Sequence, residues 1–251
     1  MGNQPIWLWM NLLSLDAPLV ALVWQDFLSR CYPALLLPQG RFVLGLTVWA
    51  IYIADRMLDV RGFAAEGEPR LHRFYREHRK VWGVTLAGVI VADLLVTVFW
   101  LRPVVFVHGL VVAGASIVYL WLFTGSGSRL VFWKKSFAAI LFCAGVFVVA
   151  SANTPGAPYS LFWAGVAFTA VCGGNLVLID GWKRGQNTGM TWAMLLVLAL
   201  VAAVAGQSRW YLAVSLSSLG LATIAWWAGK LPTEVRRVLA DAALFTPLLF
   251  R

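Results

Sequence analysis

Long apolar runs fill most of this sequence and constrain its fold more than any other feature. Nine runs, broken by Gly, Pro and charged residues, cover 10–32, 41–60, 81–101, 103–123, 133–151, 158–180, 189–206, 209–229 and 234–250. A membrane-spanning α-helix needs about 17–25 predominantly apolar residues, whereas a transmembrane strand alternates apolar and polar residues over about ten. The sequence therefore predicts an all-α, polytopic membrane protein, with nine transmembrane helices in a bundle.

Composition agrees with this prediction. Of the 251 residues, 61% are hydrophobic and only 12% are charged, which is far from the average soluble domain. No soluble segment interrupts the pattern, so residues 1–251 are expected to form a single transmembrane domain. The three cysteines lie in apolar runs without metal-ligand spacing, and we interpret them as core residues.

Basic residues separate into two groups according to the side of the membrane that the nine-span count assigns them. Five lie on one side, and fifteen lie on the other: Arg56, Arg61, Arg70, Arg73, Arg76, Arg79, Lys80, Arg129, Lys134, Lys135, Lys183, Arg184, Lys230, Arg236 and Arg237. The positive-inside rule makes the larger group cytoplasmic, with the N-terminus inside and the C-terminus outside. The net charge of +9 thus reports membrane orientation, and nucleic acid is not an expected partner. In a bacterial cell the membrane would be the cytoplasmic one.

The polar segment 61–80 carries bases at positions 70, 73, 76, 79 and 80. Spacing of three to four residues predicts that these bases share one face of a short helix. Two interpretations stand side by side. The helix either lies at the interface, held by anionic lipid headgroups, or forms a cationic rim in which Arg73 and Arg76 contact a phosphorylated substrate.

The stretch "YIADRMLDV", residues 52–60, places Asp55 and Asp59 one helical turn apart at the cytoplasmic end of the second run. Both carboxylates leave the same helix face. Arg56 lies about 100° around the helix from Asp55 and is not ideally placed to neutralise both acids. Mg²⁺ prefers oxygen ligands and is commonly held by one or two carboxylates plus substrate phosphates. The pair therefore indicates a magnesium-bridged diphosphate site; the alternative is a charged helix end that pairs with loop arginines.

A second polar stretch, "CGGNLVLIDGWKRG", occupies residues 172–185 at the same predicted membrane level. It carries Asn175, Asp180, Lys183 and Arg184. Gly173 and Gly174 would permit close helix approach. If the second and sixth spans face each other, the two stretches line one cavity that opens to the cytoplasmic side.

With these motifs in these positions, the chain resembles the UbiA-type intramembrane prenyltransferase superfamily. The resemblance covers the whole chain in architecture, with residue-level support in "YIADRMLD", "NLVLIDGWKR" and "KKSFAAILFCAGVF". It implies nine helices, Asp-rich motifs at the cytoplasmic ends of the second and sixth, and an isoprenoid diphosphate bound through Mg²⁺. It also implies catalytic and metal-binding roles for Asp55, Asp59 and Asp180.

This chain departs from the family pattern at two places. The Asn that usually begins the first motif is replaced by Ile51, and the second motif keeps one acid, Asp180, with Arg184 where a second acid is usual. Guanidinium cannot bind a metal but can contact phosphate directly. One consistent site has a single Mg²⁺ on Asp55 and Asp59, with Lys183 and Arg184 in place of a second ion. A relative that has lost catalysis is the alternative.

Other polar and aromatic residues within the apolar runs are weaker candidates. Asp26 either forms a polar wall of the cavity, where it would orient or deprotonate the acceptor, or pairs with Arg30 one turn later. Asp241 is expected to pair with Arg237. Tyr52 lies one turn before Asp55, where its ring could stabilise an allylic cation.

The expected function is Mg²⁺-dependent transfer of a prenyl group from an isoprenoid diphosphate to a lipophilic or aromatic acceptor. Asn175 and Asp180 would orient the diphosphate while Lys183 and Arg184 draw off its negative charge. Two alternatives remain open: a related terpene cyclase or lyase acting on the same diphosphate, and a non-catalytic lipid-binding or transport protein.

Overall fold

In the computed structural model, all regular secondary structure among the described residues, which are 6–32, 34–60, 70–123, 131–154, 159–205 and 208–250, is helical. The α-helices are Ile6–Leu12 (α1), Asp16–Cys31 (α2), Pro38–Asp59 (α3), Arg70–Glu77 (α4), Arg79–Trp100 (α5), Pro103–Phe123 (α6), Val131–Asn153 (α7), Tyr159–Lys183 (α8), Gly189–Ala205 (α9), Arg209–Trp226 (α10) and Thr233–Ala242 (α11). Two 3₁₀ segments, Ala228–Lys230 and Ala243–Phe250, flank α11. The predicted all-α class is confirmed.

Among the described residues, four helices are long and apolar enough to cross a membrane: α5, α6, α7 and α8. The apolar helix α9 is shorter. Much of the apolar surface of α5 and α6 is exposed, including Val84, Val98, Leu110 and Trp121. Exposed apolar surface of this extent suits contact with lipid rather than water. The chain therefore has the helices of an integral membrane protein, while the nine-span count stays a prediction.

The first and last apolar runs are not continuous α-helices, which corrects the predictions for 10–32 and 234–250. The first is broken at 13–15, where Ser14 has φ 54°, and α2 then begins at Asp16. Pro18 lies in the first turn of α2, the part of a helix that does not need its missing N–H. In the last run, α11 passes into a 3₁₀ segment that contains Pro247, whose ring is incompatible with a regular α-helix.

Aromatic side chains from α2, α8 and α10 form the centre of the main hydrophobic core. The Trp24 ring lies 4.5 Å from Phe168 and 5.1 Å from Trp210, and all three side chains are fully buried. Trp24 also donates its indole N–H to the Leu244 carbonyl oxygen over 2.7 Å. This core joins helices that also carry polar residues of the site described below.

The short helix α4 packs against α3 and α5 through a second hydrophobic cluster that includes Ile53, Tyr75 and Trp82. The Tyr75 ring stacks on Trp82 with 4.5 Å between centroids, and its hydroxyl is 2.7 Å from that of Ser14. Burial raises the pKa of the Tyr75 phenol, so this group stays a neutral hydrogen-bond partner. Helix α4 is thereby fixed against the end of α3 that carries the acid pair.

Candidate functional site

The acid pair at the end of α3 is bridged by a lysine from α7. Lys134 Nζ lies 3.1 Å from Asp55 Oδ1 and 3.0 Å from Asp59 Oδ1. The i,i+4 spacing brings both carboxylates to one face, and the ammonium group, with its three donors, contacts both. Lys134 therefore offsets part of the charge of the pair, which the neighbours of Asp55 in the sequence did not predict.

The acid on α8 is also compensated by bases. Asp180 pairs with Lys135 of α7 and with Arg184, whose Nε lies 2.9 Å from Asp180 Oδ2. Because Lys134 and Lys135 are adjacent, α7 connects the acid pair on α3 with the acid on α8. The two polar stretches singled out in the sequence thus lie close together, with α7 between them.

Three further bases lie close to one another beside these ion pairs. Arg56 on α3, Lys183 on α8 and Arg237 on α11 are near enough for their charges to repel. Among the described residues, none of the three forms an ion pair with a carboxylate. The guanidinium of Arg56 lies over the Tyr52 ring, 5.2 Å from its centroid. We term Arg56, Lys183 and Arg237 the three-cation group.

A set of oxygen-bearing side chains lies next to the three-cation group. Asn175 Nδ2 donates a hydrogen bond of 3.2 Å to Asp241 Oδ1 on α11. The charge of Asp241 also interacts with those of Asp16, Arg237 and Arg56. Asp16, at the start of α2, accepts a hydrogen bond of 3.0 Å from Asn11 Nδ2. Four helices, α2, α3, α8 and α11, therefore contribute charged or polar groups to one region.

The acid pair is the part of this site best suited to a metal ion. Two carboxylate oxygens converge on one point, where Lys134 acts as a cation, and a monovalent cation leaves one negative charge uncompensated. Hard carboxylate oxygens are suitable ligands for Mg²⁺ when substrate and water complete its coordination. Asp180 is different, because two bases already neutralise it. Within the described part of the chain, no group of three or more His, Cys, Asp or Glu side chains forms a complete protein-only metal site.

The basic segment forms a short helix, but the five bases predicted to share its face do not all belong to it. Helix α4 ends at Glu77, and Arg79 and Lys80 begin α5. Arg73 is exposed and Arg76 is partly buried. The break follows from His78, whose ring nitrogen Nδ1 lies 3.0 Å from the Phe74 carbonyl oxygen and whose backbone leaves the helical region. The remainder of the polar segment, 61–69, lies outside the described residues.

Asp26 lies apart from the other candidate residues. It pairs with Arg30 at 2.8 Å and with Arg41 at 2.5 Å, near the opposite end of α3 from Asp55. At about 1.5 Å per residue, Arg41 and Asp55 are about 20 Å apart along the helix axis. The alternative interpretation of Asp26, pairing with Arg30, is the one that the geometry supports.

Sequence reasoning missed several residues of this site, for identifiable reasons. Lys134 and Lys135 enter the sequence predictions through membrane orientation and the stretch "KKSFAAILFCAGVF", without a predicted contact to the acids, although a Lys-Lys step at the start of a span can reach two neighbouring helices. Arg56 enters the sequence predictions as a cytoplasmic base and as a partner for the acids, without a role in binding an anion. Arg237 is predicted to pair with Asp241, and the sequence predictions give Asp16 no role. The nine-span count places these residues near the same side of the membrane. That shared position was the signal in the sequence that could have grouped them into one site.

Fold and site together define an integral membrane protein in which α3, α7, α8 and α11 share a cluster of charged side chains. No protein-family model matches this sequence, and no curated protein matches it.

Proposed function

We propose that this protein is an intramembrane prenyltransferase, which transfers a prenyl group from an isoprenoid diphosphate to a lipophilic or aromatic acceptor. The observation that carries the proposal is the three-cation group, formed by bases from three helices, beside a carboxylate pair on α3. Repulsion among cations that have no direct carboxylate partner is relieved when a multiply charged anion binds between them. The resemblance to the UbiA-type superfamily supports a prenyl diphosphate as that anion.

In this proposal the three-cation group binds the diphosphate directly. Arg56 and Arg237 can each donate two parallel hydrogen bonds to phosphate oxygens, and Lys183 adds a point charge. Tyr52 holds the Arg56 guanidinium through its ring face, so its proposed role is to position Arg56. Arg184 is engaged with Asp180, so it maintains the charge balance on α8, whereas the sequence suggested direct contact with substrate.

Asp55 and Asp59 would hold one Mg²⁺ together with the diphosphate. When bound, that ion would stabilise the negative charge that develops on the leaving group. Lys134 keeps the two carboxylates converged before substrate arrives. Asp180 is compensated by Lys135 and Arg184, so the proposal needs no second ion.

The proposed architecture is a bundle of nine membrane-spanning segments around a central cavity that opens to the cytoplasmic side. The charged cluster lies at that side, the N-terminus is cytoplasmic and the C-terminus is on the opposite side, in accord with the distribution of basic residues. Water exclusion within the bundle would protect an allylic cation from hydrolysis. Membrane lipids surround α5 and α6, and the partly exposed basic helix α4 lies at the interface.

Release of inorganic diphosphate tests this function. The full chain in lipid nanodiscs is incubated with farnesyl or geranylgeranyl diphosphate and Mg²⁺. Asp55→Asn and Asp59→Asn should each lower the rate of release by about 100-fold or more, the scale of losing one preorganised electrostatic contact. Asp26→Asn is the matched control and should leave the rate unchanged.

Equal rates in the wild type and both acid variants would contradict the proposal. Analysis of the products formed without an acceptor distinguishes a transferase from the alternatives. A cyclised hydrocarbon or a prenyl alcohol would assign a cyclase or lyase in place of a transferase, and lipid movement without diphosphate release would assign transport.

A further inference from the structure

A second set of atoms, next to the three-cation group, has no role in binding the diphosphate. It comprises the Asp16 carboxylate, the Asn175 amide oxygen and the Asp241 carboxylate, which we term the oxygen group. A hydrogen bond from Asn175 Nδ2 to Asp241 Oδ1 joins two of its members, and Asp16 lies near enough to Asp241 for the two carboxylates to repel each other. Helices α2, α8 and α11 thus place more hydrogen-bond acceptors than donors in this group.

Two buried atoms of the oxygen group have no hydrogen-bond partner within the described residues: Asp16 Oδ1 and Asn175 Oδ1. Asp16 is 6% exposed and Asn175 is 5% exposed. Buried acceptors without a donor are costly, and native structures supply a partner for nearly all of them. Both atoms can accept a hydrogen bond, so a ligand with an O–H or N–H group would satisfy them.

The pairing of α8 with α11 sets the depth of the oxygen group. Asn175 contacts Asp241, whereas Lys183 interacts with Arg237, so the two helices run antiparallel. Asp241 lies one turn after Arg237, and Asn175 lies about two turns before Lys183. Along these two helices, Asn175 and Asp241 are therefore displaced by about 6–12 Å from Lys183 and Arg237. Asn175 thus lies within the apolar run 158–180, whereas Lys183 lies beyond its end.

We propose that the oxygen group binds the acceptor through a hydroxyl group, so that the acceptor is an uncharged lipophilic alcohol or phenol. This inference rests on the proposed function, since it names the substrate class of the same site. A hydroxyl donates to an unpartnered oxygen, whereas a carboxylate brings no donor and is repelled by Asp16 and Asp241. The oxygen group therefore selects against acidic acceptors, while the three-cation group selects for the anionic donor substrate.

Binding of two matched probes tests this inference. 4-Nonylphenol and 4-nonylbenzoate share an alkyl chain and differ in the headgroup, and each is titrated calorimetrically into the full chain in nanodiscs, with empty nanodiscs subtracted. We expect saturable binding of one nonylphenol per chain and at least tenfold weaker binding of nonylbenzoate. Asn175→Leu should weaken nonylphenol binding about tenfold, and the isosteric Asp16→Asn should reduce the preference for the phenol about tenfold. Asp26→Asn, which changes a carboxylate that lies apart from this site, should leave nonylphenol binding unchanged.

Inorganic pyrophosphate, titrated into the same preparations, separates this inference from the proposed function. If pyrophosphate binds but nonylphenol does not saturate, or binds the folded Asn175 and Asp16 variants as it binds the wild type, the inference is wrong and the oxygen group holds only water. Equal affinity for the two nonyl probes also overturns it. If nonylphenol binds as expected but pyrophosphate does not, the proposed function fails and a hydroxyl-lipid site remains.

Discussion

Lys134 reduces the repulsion between the two carboxylates at the end of α3. Its ammonium group contacts both Asp55 and Asp59, while the next residue, Lys135, contacts Asp180 on α8. Successive residues on a helix point about 100° apart, so adjacent lysines can serve two neighbouring helices. One pair of residues on α7 thereby sets the charge balance on both sides of the candidate site.

A double-mutant cycle between Lys134 and Asp59 measures this contact. The free energy of unfolding in mixed micelles, without metal, should show a favourable coupling of about 0.5–3 kcal/mol between Lys134→Met and Asp59→Asn, as expected for residues in one ion-pair network. The contact is half-buried, so solvent screens it less than a surface pair. Lys135→Met is the matched control, because Lys135 pairs with Asp180, and it should show much weaker coupling to Asp59→Asn. Equal coupling of both lysines would contradict the geometry.

The sequence could predict some residue contacts and not others. Convergence of Asp55 and Asp59 follows from helical spacing alone. The lysine that bridges them is 75 residues away from Asp59, and nothing local specifies it. Likewise, the carboxylate that accepts a hydrogen bond from Asn175 is 66 residues away, on a helix whose position depends on packing of the whole chain.

At the scale of elements, two adjacent glycines allow α8 to pack between α7 and α9. A Cβ on Gly174 would lie 2.8 Å from Leu195 Cδ2, whereas a Cβ on Gly173 would lie 3.7 Å from Ala139 Cβ, an ordinary contact. Leu195 is buried and has little room to move. Close approach of α8 to α9 therefore depends on Gly174 and much less on Gly173.

The substitutions Gly174→Ala and Gly173→Ala form a matched pair. Gly174→Ala should destabilise the protein by about 1–3 kcal/mol, since it overpacks the interface with α9. Gly173→Ala should be neutral, or stabilising by up to about 1 kcal/mol through its helix propensity. Unfolding in mixed micelles measures both, and a larger loss in Gly173→Ala would contradict the assigned packing.

Helix positions were largely predictable because apolar runs of membrane length carry strong signals. The runs 81–101, 103–123 and 158–180 correspond closely to α5, α6 and α8. The ends of the chain were less predictable. Pro18 and Pro247 lie in apolar runs that look continuous by hydropathy. A hydropathy value does not account for the backbone N–H that proline lacks, so it does not show where such a run is interrupted.

At the scale of the whole molecule, charge is concentrated where helices meet at one end of the bundle. Acids on α2, α3, α8 and α11 lie near bases from α3, α7, α8 and α11, and bases exceed acids by 9 in the chain as a whole. Such an arrangement costs desolvation in a membrane protein and is typical of a functional site. Within this arrangement, the three-cation group favours an anionic ligand on electrostatic grounds.

The central claim is that the three-cation group, with the acid pair, binds a magnesium diphosphate. The most direct test is calorimetric titration of inorganic pyrophosphate into the full chain in nanodiscs, with and without Mg²⁺. The variant Arg237→Met is compared with Arg236→Met. Arg236 is the control because it lies outside the three-cation group and donates from Nε to the Leu231 carbonyl oxygen over 2.6 Å. We predict one Mg²⁺-dependent site per chain, weakened about 10- to 100-fold by Arg237→Met and unchanged by Arg236→Met, as expected for one charge-assisted contact. Absence of saturable binding, or equal effects of the two variants, would contradict the claim.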